Sequence, residues 1–384
     1  MQGFRVVECA SIVLGPLAAQ LLADMGADVI KIEAPEGDLT RQIGPGVEPG
    51  MGALFVTCNR NKRSVVLDLK TEAGRTDLRR LVRTSDVFLH SIRAQAIERL
   101  GLGYEAMAAA DPGLVYCHVK GFGDHGLYGG SPAYDDVVQA LSGLASLQTA
   151  VGGRPRYVPS IVADKVTAVH AAYAIALALL HRERTGAGQR IDVAMFETMA
   201  AFNLVEHLWG AAFEPPLAEM GYPPVATASR RPFKTLDGYL CVMPYTDADW
   251  LSFFTLIGRP DVIADPRFTT LKGRQQNVVL VWDELEKQVA SRTSADWSSL
   301  LRLADIPYAR VNSLEDLLTD PHLDSVDFWS LLPQDDGSVM RIPASPLGLA
   351  VTPPSLRMPP PRLGEHTDDI LGELAIAASE RSNA

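Results

Sequence analysis

The chain has 384 residues, with 46 acidic and 35 basic side chains and a formal net charge of −11. Because a general nucleic-acid binder needs surplus Lys and Arg to neutralise phosphates, this charge excludes that partner class. A hydrophobic content of 47% is typical of a globular protein, and at roughly 100 to 200 residues per domain the length predicts two or three domains.

Signals for export, membrane insertion and metal binding are missing from the sequence. Residues 1–8 enter a strand-like run without a basic region or an apolar signal core. The longest apolar stretch, 166–180, is shorter than the roughly 20 residues that span a bilayer. The four cysteines are far apart and form no C-x-x-C pair, which indicates buried thiols. We expect a cytoplasmic protein with no membrane partner and no metal.

The first half of the chain alternates strand-like and helix-like segments. Strands are predicted over residues 4–7, 28–33, 64–68, 86–90, 114–119 and 189–193. Helices are predicted over residues 16–25, 73–82, 94–100, 163–182 and 196–209. This alternation predicts an α/β fold whose mostly parallel sheet is covered by helices on both faces.

Composition predicts a second, smaller domain. Residues 213–225, with four prolines, are typical of a linker between residues 1–212 and an α+β domain over 226–325. The smaller domain should contain a hairpin near residues 237–238, helices over 247–257, 274–291 and 294–304, and a strand over 308–311. Residues 342–361 carry seven prolines and should run extended over another surface, before a final helix over 367–378.

Common nucleotide, zinc and hydrolase motifs do not account for this sequence. Residues 101–106 match G-x-G-x-x-A in letters, but they follow a helix-like segment and not a strand. The loop over 11–16 follows the first strand, where such a fold places a phosphate, yet it lacks the glycine pattern. NAD is therefore not expected. P-loop, H-E-x-x-H and G-x-S-x-G motifs are absent from the sequence.

Two features suggest chemistry but also have ordinary structural interpretations. Three basic residues, Arg60, Lys62 and Arg63, lie just before a predicted strand. They form either a solvated loop or, together with Lys70 and Arg99, an anion site. Asp164 begins the most apolar predicted helix and could be its N-cap. The same carboxylate could be a nucleophile if it is desolvated and oriented, with the helix amides keeping it ionised.

Several segments carry a family resemblance. They are ADMGA at 23–27, VIKIE at 29–33, NKRS at 61–64, LDLK at 67–70, RTGAGQ at 184–189 and LGEHTD at 363–368. In this order the chain resembles the class III CoA-transferases, which include formyl-CoA:oxalate and carnitine CoA-transferases and α-methylacyl-CoA racemase. The resemblance implies a Rossmann-like large domain, a smaller domain, and an interlocked homodimer. Residues 326–384 would then return to complete the large domain.

The resemblance also implies a site. The nucleophilic aspartate falls on Asp164. Coenzyme A contacts fall on Val13, Leu14, Leu67, Asp68, Leu69, Lys70, Ser91, Ile92, Arg99 and Tyr134. The chain departs from the family at 90–95, where many members contact adenine, and at Ala34, where many have arginine. A phosphate contact is therefore expected from Arg41 or residues 60–63.

In this family the enzyme moves coenzyme A between an acyl-CoA and a free carboxylic acid, through an aspartyl anhydride and an aspartyl-CoA thioester. A CoA thioester is thus the substrate, and no permanently bound cofactor is expected. Two alternatives stay open. A 2-methylacyl-CoA racemase would have histidine where this chain has Tyr134, and a phenol with a pKa of about 10 is a poor proton shuttle. A non-catalytic acyl-CoA-binding protein could keep Asp164 as an N-cap.

The substrate class is predicted from arginines. Arg230 and Arg231 follow the linker, and Arg154 and Arg156 precede Asp164. Any of them could be an ordinary surface charge. A guanidinium at the acyl site would bind a second carboxylate bidentately, which favours a dicarboxylate such as succinate, mesaconate or glutarate.

Overall fold

The fold is described from a computed structural model, in which residues 1–334 and 336–382 are defined. The chain forms two compact units. Unit 1 contains Met1–Ser142, Val158–Phe202 and the chain from His322 onward, and unit 2 contains Gly143–Tyr157 and Asn203–Pro321. The linker and the domain boundaries inferred from composition stay a prediction.

Unit 1 is built on one parallel sheet. Its strands are β1 (Arg5–Cys9), β2 (Asp28–Glu33), β3 (Lys62–Val66), β4 (Val87–His90), β5 (Val115–Lys120) and β6 (Gln189–Ala194). They lie in the order β3-β2-β1-β4-β5-β6, and Val7 of β1 pairs with Ile30 and with Phe88. The predicted α/β fold with a mostly parallel sheet is confirmed. Because the order reverses between β1 and β4, a ligand crevice is expected beyond their carboxyl ends.

The helices of the first half are mostly short. They are α1 (Leu14–Asp24), α2 (Ala53–Cys58), α3 (Glu72–Val82), α4 (Ala94–Arg99), α5 (Tyr104–Ala110), α6 (Asp135–Leu141), α7 (Leu144–Leu147), α8 (Thr149–Gly152), α9 (Val162–Thr185) and α10 (Met195–His207). The five predicted helices are confirmed with small shifts in their ends. The sequence did not predict α2 or α5 to α8.

The basic residues 60–63 form neither a solvated loop nor an anion site. β3 begins at Lys62, two residues earlier than predicted, and the Lys62 side chain is fully buried. Each cation is neutralised inside unit 1: Lys62 by Glu8 at 2.7 Å, Arg60 by Asp24 at 2.6 Å and Arg63 by Asp28 at 2.6 Å. Arg41 is likewise buried and bound to Glu33 at 2.7 Å. The expected phosphate contact from these side chains was therefore wrong.

Helix α9 is longer than the apolar stretch seen in the sequence. With 24 residues, it is long and apolar enough to cross a membrane, although the core helix of a soluble protein passes the same test. The chain buries 39% of its most apolar 18-residue window. Val169, Tyr173, Leu177 and Leu180 are exposed at spacings of three or four residues. They form one apolar stripe along α9, which we call the α9 stripe.

Unit 2 has its own core. Its strands β7 (Phe233–Lys234), β8 (Tyr239–Val242) and β9 (Tyr308–Arg310) form an antiparallel sheet. Its later helices are α11 (Asp247–Leu256), α12 (Pro260–Ile263), α13 (Pro266–Thr269), α14 (Leu271–Gln276), α15 (Val278–Val289) and α16 (Ser294–Leu303). Trp250, Phe253, Phe254, Trp282 and Trp297 lie at the centre of that core. The predicted hairpin near 237–238 is confirmed, but the predicted helix over 274–291 is divided at Asn277.

The C-terminal part of the chain lies against the N-terminal sheet of unit 1. It contains α17 (Pro321–Ser325), the unpredicted hairpin β10 (Trp329–Pro333) and β11 (Val339–Pro343), and α18 (Thr367–Ser382). Residues 344–366 form neither helix nor strand. The Asn61 side-chain oxygen accepts hydrogen bonds from the backbone amides of Arg357 and Met358, at 2.6 and 2.9 Å. Asn61 adopts a φ of 61°, which asparagine tolerates better than most residues.

Candidate active site

A cavity of about 460 Å³ lies beyond the carboxyl ends of the central strands of unit 1. Residues that follow β1, β4 and β5 line it, as the reversal of strand order predicts. Four residues predicted from the sequence meet there: Leu14, Ser91, Tyr134 and Asp164. We call it the Asp164 cavity.

A neighbouring cavity of about 450 Å³ shares Ser11 and Ser91 with the Asp164 cavity. Its walls include the predicted residues Leu67, Asp68, Leu69, Lys70, Ser91 and Ile92. Val13 and Arg99 line neither cavity: Val13 is buried at the start of α1, and Arg99 is exposed at the end of α4. Most of the predicted site residues thus surround two adjoining spaces.

Asp164 is not the N-cap of α9. Ile161 holds that position without a side-chain hydrogen bond, and Asp164 lies within the first turn. The backbone amides of Ala163 and Asp164 donate instead to Asp135 Oδ1, at 2.7 and 3.1 Å. Among the defined residues, none forms a hydrogen bond with the Asp164 carboxylate. This carboxylate is therefore available to a ligand in the cavity.

Burial, and after it the negative charge of Asp135, raises the pKa of Asp164 to about 7. The expectation that the helix amides would keep Asp164 ionised was wrong, because Asp135 already occupies the nearest of them. A carboxylate with a raised pKa is more basic than an ordinary aspartate, and it is still partly ionised near neutral pH.

Asp135 is the residue that sequence reasoning missed. It is buried at the start of α6, and its Oδ2 accepts from Gln139 Nε2 at 2.6 Å. Gln139 is fully buried; its side chain accepts from the Val158 amide and donates to the Ser160 carbonyl. Asp135 and Gln139 therefore fix the segment that leads into α9. Their i, i+4 spacing is the one sequence signal for the pair, since such residues are neighbours on a helix.

The loop after β1 reaches the Asp164 cavity in a strained conformation. Ile12 has a φ of 71°, which is rare for a β-branched residue, and its amide donates to Asp38 Oδ1 at 3.3 Å. The fully buried Lys31 ammonium contacts Asp38 Oδ2 at 3.0 Å, Glu8 Oε1 at 3.1 Å and the Ala10 carbonyl at 3.0 Å. This ion network under the loop holds Ile12 in place.

Burial and its carboxylate partners act in opposite directions on Lys31. Burial alone would lower the pKa of Lys31, but Glu8 and Asp38 outweigh it and hold that pKa above the ordinary value. The Lys31 ammonium is therefore charged near neutral pH, where it can pair with both carboxylates.

His118 lines the Asp164 cavity and is nearly fully buried. Burial, with the charge of Lys120, lowers its pKa to about 4, so the imidazole is neutral near pH 7. Ligand atoms of His118, Asp124 and Asp192 lie within 4.8 Å of one another. However, Lys120 and Arg190 each pair with both carboxylates, so this group is an ion-pair cluster and offers no free charge to a metal.

The predicted carboxylate-binding arginines belong to unit 2. Arg231 is exposed and pairs with Glu286 at 3.0 Å. Arg230 is partly buried, and its guanidinium lies 5.9 Å from the ring centre of Trp282. All residues that line the Asp164 cavity belong to unit 1.

Comparison with known proteins gives the family. Residues 1–367 match CoA-transferase family III. The chain belongs to this family. It is 34% identical over 388 residues to the succinate–glutarate CoA-transferase of Agrobacterium fabrum, which covers 97% of this chain and 95% of the relative. It is 34% identical over 385 residues to the "Probable fatty acyl-CoA transferase Rv3272" of Mycobacterium tuberculosis, covering 95% and 96% of the two chains.

A solved structure of one of these relatives has the same fold. An aspartate-to-alanine mutant of Rv3272 superposes with a TM-score of 0.85 at 31% identity, covering 97% of this chain and 98% of the other. The family resemblance drawn from the sequence segments is therefore confirmed, and the chain is an enzyme of the CoA-transferase class. The non-catalytic alternative is set aside. CoA-transferases use CoA thioesters as substrates, as predicted.

Proposed function

We propose that this enzyme transfers coenzyme A between an acyl-CoA and a free carboxylic acid, with Asp164 as the nucleophile. The observation that carries the proposal is the Asp164 carboxylate itself. It lines a cavity at the strand-order reversal, has no hydrogen-bond partner among the described residues, and has a raised pKa. These are the properties of an activated carboxylate nucleophile.

The reaction needs four displacements at carbonyl carbon. An Asp164 oxygen attacks the donor thioester, which forms an acyl-aspartyl anhydride and releases CoA thiolate. The thiolate attacks the Asp164 carbonyl, which forms an aspartyl-CoA thioester and frees the donor carboxylate. The acceptor carboxylate then attacks that thioester, giving a second anhydride and thiolate. Attack of the thiolate on the acceptor acyl carbon yields the new acyl-CoA and regenerates Asp164.

The raised pKa bears on the first displacement of this cycle. A more basic carboxylate attacks a thioester more readily. In the last displacement Asp164 is the leaving group, and its raised pKa makes it a poorer one, so the gain lies in the attack on the donor thioester. No proton is taken up or released between the four steps, so a neutral His118 lining the cavity need not act as an acid or a base.

We assign coenzyme A to the two adjoining cavities. Lys70 is exposed on the wall of the second cavity and pairs with no carboxylate among the described residues, so it can meet a phosphate. Leu67, Asp68, Leu69 and Ile92 would line the nucleotide side, and the thiol end would pass Ser91 to reach Leu14, Tyr134 and Asp164. The contacts of Val13 and Arg99 stay a prediction.

The acyl group stays less defined than the reaction. The two relatives of equal identity are named for dicarboxylates and for fatty acyl groups, so their names do not choose between these classes. A dicarboxylate substrate stays our prediction. We also keep the predictions that the enzyme has no permanently bound cofactor and no metal. Arg231 is already neutralised by Glu286, which weakens its part in binding a second carboxylate.

We further propose that the enzyme is a homodimer of the cytoplasm. The α9 stripe is a run of large apolar side chains left uncovered by the single chain, and a second copy would bury it. The family resemblance implies that the two copies interlock.

The reaction is tested by incubating the enzyme with succinyl-CoA or butyryl-CoA and a panel of carboxylates, with separation of the acyl-CoA products. A new thioester formed in step with loss of the donor supports the transferase. α-Proton exchange of a 2-methylacyl-CoA in deuterated water, without thioester exchange, would support the racemase instead. If neither exchange occurs with any pair, the proposal fails.

A further inference from the structure

A third cavity lies wholly within unit 2 and shares no residue with the two cavities described above. We call it the unit 2 cavity. Its volume of about 590 Å³ is in the range of small-molecule sites. Its walls are largely apolar, and they include Met243, Pro244, Leu271, Val278 and Val281. An apolar ligand body would fit here.

The charged residues on the wall of this cavity do not balance. Two arginines, Arg230 and Arg274, and one acid, Asp247, line it, so its wall carries one net positive charge in a protein of net charge −11. Each guanidinium lies over an indole: Arg230 over Trp282 at 5.9 Å and Arg274 over Trp250 at 5.6 Å. Stacking of this kind holds a guanidinium at a fixed place on an apolar wall.

The two arginines differ in what they bind. Arg274 is buried; it donates to Asp247 at 2.6 Å and to the Phe268 carbonyl at 3.0 Å, so its charge is matched. Within the described parts of the chain, the Arg230 guanidinium donates only to the Pro224 carbonyl, at 3.1 Å, and pairs with no carboxylate. The positive charge of the cavity is therefore that of Arg230.

We propose that the unit 2 cavity binds an organic monocarboxylate with an apolar body, such as a medium-chain fatty acid. Its carboxylate would pair with the free N–H groups of Arg230, and its chain would lie along Trp282 and the apolar wall. A second carboxylate would find no free guanidinium and would face Asp247, which disfavours a dicarboxylate. A neutral ligand would cover Arg230 without an anion, at a cost in free energy.

This site goes beyond the proposed transferase reaction, because none of its residues lines the Asp164 cavity. Arg230 would then serve the unit 2 cavity, in place of the dicarboxylate contact predicted from the sequence. The chain supplies a matched control in Arg231, which is adjacent in sequence, also basic, exposed, and paired with Glu286.

The test is calorimetric titration of the full-length enzyme with decanoate and with decan-1-ol, which has the same chain length but no charge. We expect one decanoate per chain, and binding weaker by about tenfold or more for decanol and for decanoate on Arg230→Gln. Arg231→Gln and Asp164→Asn should both bind decanoate as the parent enzyme does. Decanoate should also change the tryptophan emission, and Trp282→Phe should reduce that change.

Several outcomes would overturn the site. They are no saturable binding of decanoate, equal affinity for decanol, or unchanged affinity in Arg230→Gln. Loss of binding in Asp164→Asn, or displacement of decanoate by coenzyme A, would assign the acid to the Asp164 cavity instead. The decanol comparison needs no variant, so it holds even if Arg230→Gln does not fold. Since Asp164→Asn should lose transfer but keep decanoate, failure of either proposal can be seen separately.

Discussion

The carboxylate of Asp135 accepts a hydrogen bond from the backbone amide of Asp164 at 3.1 Å, while the Asp164 carboxylate lines the cavity. One acid thus occupies the amides at the start of α9, and the other is left near them without their stabilisation. Asp135 therefore has two effects on its neighbour. It fixes the start of α9, and its negative charge adds to burial in raising the pKa of Asp164.

The first prediction concerns pH. In the proposed reaction only the ionised Asp164 attacks the thioester. Because its pKa is raised to about 7, kcat/KM should rise with pH and level off above about 7. Below that pH the rate should fall about tenfold per pH unit. Initial rates with succinyl-CoA between pH 5 and 9 measure the profile. A rate that is already constant from pH 5 upward would show that Asp164 has an ordinary pKa.

A second prediction separates the two causes of the raised pKa. Asp135→Asn keeps an oxygen that can accept from the α9 amides but removes the charge, so the acidic limb of kcat/KM should move to lower pH. The movement should be partial, because burial is the larger cause. Asp136→Asn is the control: Asp136 is the next residue, equally acidic but exposed, and it should leave the limb in place.

Removing the hydrogen-bond acceptor of Asp135, and not only its charge, should change stability. Asp135→Ala removes the acceptor for two backbone amides and should reduce the free energy of unfolding by about 1 to 2 kcal/mol. If Asp135→Asn and Asp136→Asn gave the same pH profile, the charge of Asp135 would have no part in the chemistry.

The third prediction tests the nucleophile by activity and stability together. Asp164→Asn should reduce thioester exchange by about 1000-fold or more, since the other aspartate that lines the cavity, Asp124, is paired with Lys120 and Arg190. In the parent enzyme, hydroxylamine added during turnover should convert Asp164, and no other carboxylate, to a hydroxamate. A label at another acid, or an active Asp164→Asn, would contradict the assignment.

Stability should change in the opposite sense to activity. The pKa of Asp164 is about 4 in the unfolded chain and about 7 in the folded one. The folded state therefore favours protonated Asp164. The contribution of this group to the free energy of unfolding is complete below pH 4 and is lost as the pH rises through 7. Asp164→Asn cannot ionise, so its melting temperature should match the parent at pH 4 and exceed it at pH 8.

The sequence predicted the sheet well because its strands are short apolar runs between helix signals. It placed β2 at the residues found, but it began β3 two residues late. Lysine is usually exposed, so the sequence placed Lys62 in a loop. Its burial depends on Glu8, which is 54 positions away and pairs with it at 2.7 Å. No local pattern reports such a contact.

The sequence led to Asp164 as the candidate nucleophile but not to its electrostatic surroundings. Family resemblance led to Asp164, whereas local rules treated it as an N-cap. The side chain that accepts from the first amides of α9 is that of Asp135, which lies 28 positions before Ala163 in the chain and reaches it from α6. The pKa of Asp164 follows from that packing, so sequence reasoning could not supply it.

The last prediction concerns assembly. We expect the enzyme to sediment as a dimer of 41.5 kDa chains, with the α9 stripe in the interface. Tyr173 is 62% exposed and Leu177 46% exposed, so lysine at these positions should not disturb the fold of one chain. In a dimer interface the two charges would be buried without partners. The variant Tyr173→Lys with Leu177→Lys should therefore shift the enzyme toward monomer.

Glu183→Lys, on the exposed end of the same helix, is the control and should stay dimeric. A stable, active monomer of the parent enzyme would contradict the dimer. If the double lysine variant is still a dimer, the enzyme is dimeric but its interface is not the α9 stripe. Co-sedimentation of a monomer with lipid vesicles, abolished by the same two lysines, would show that the stripe meets lipid and not a second copy.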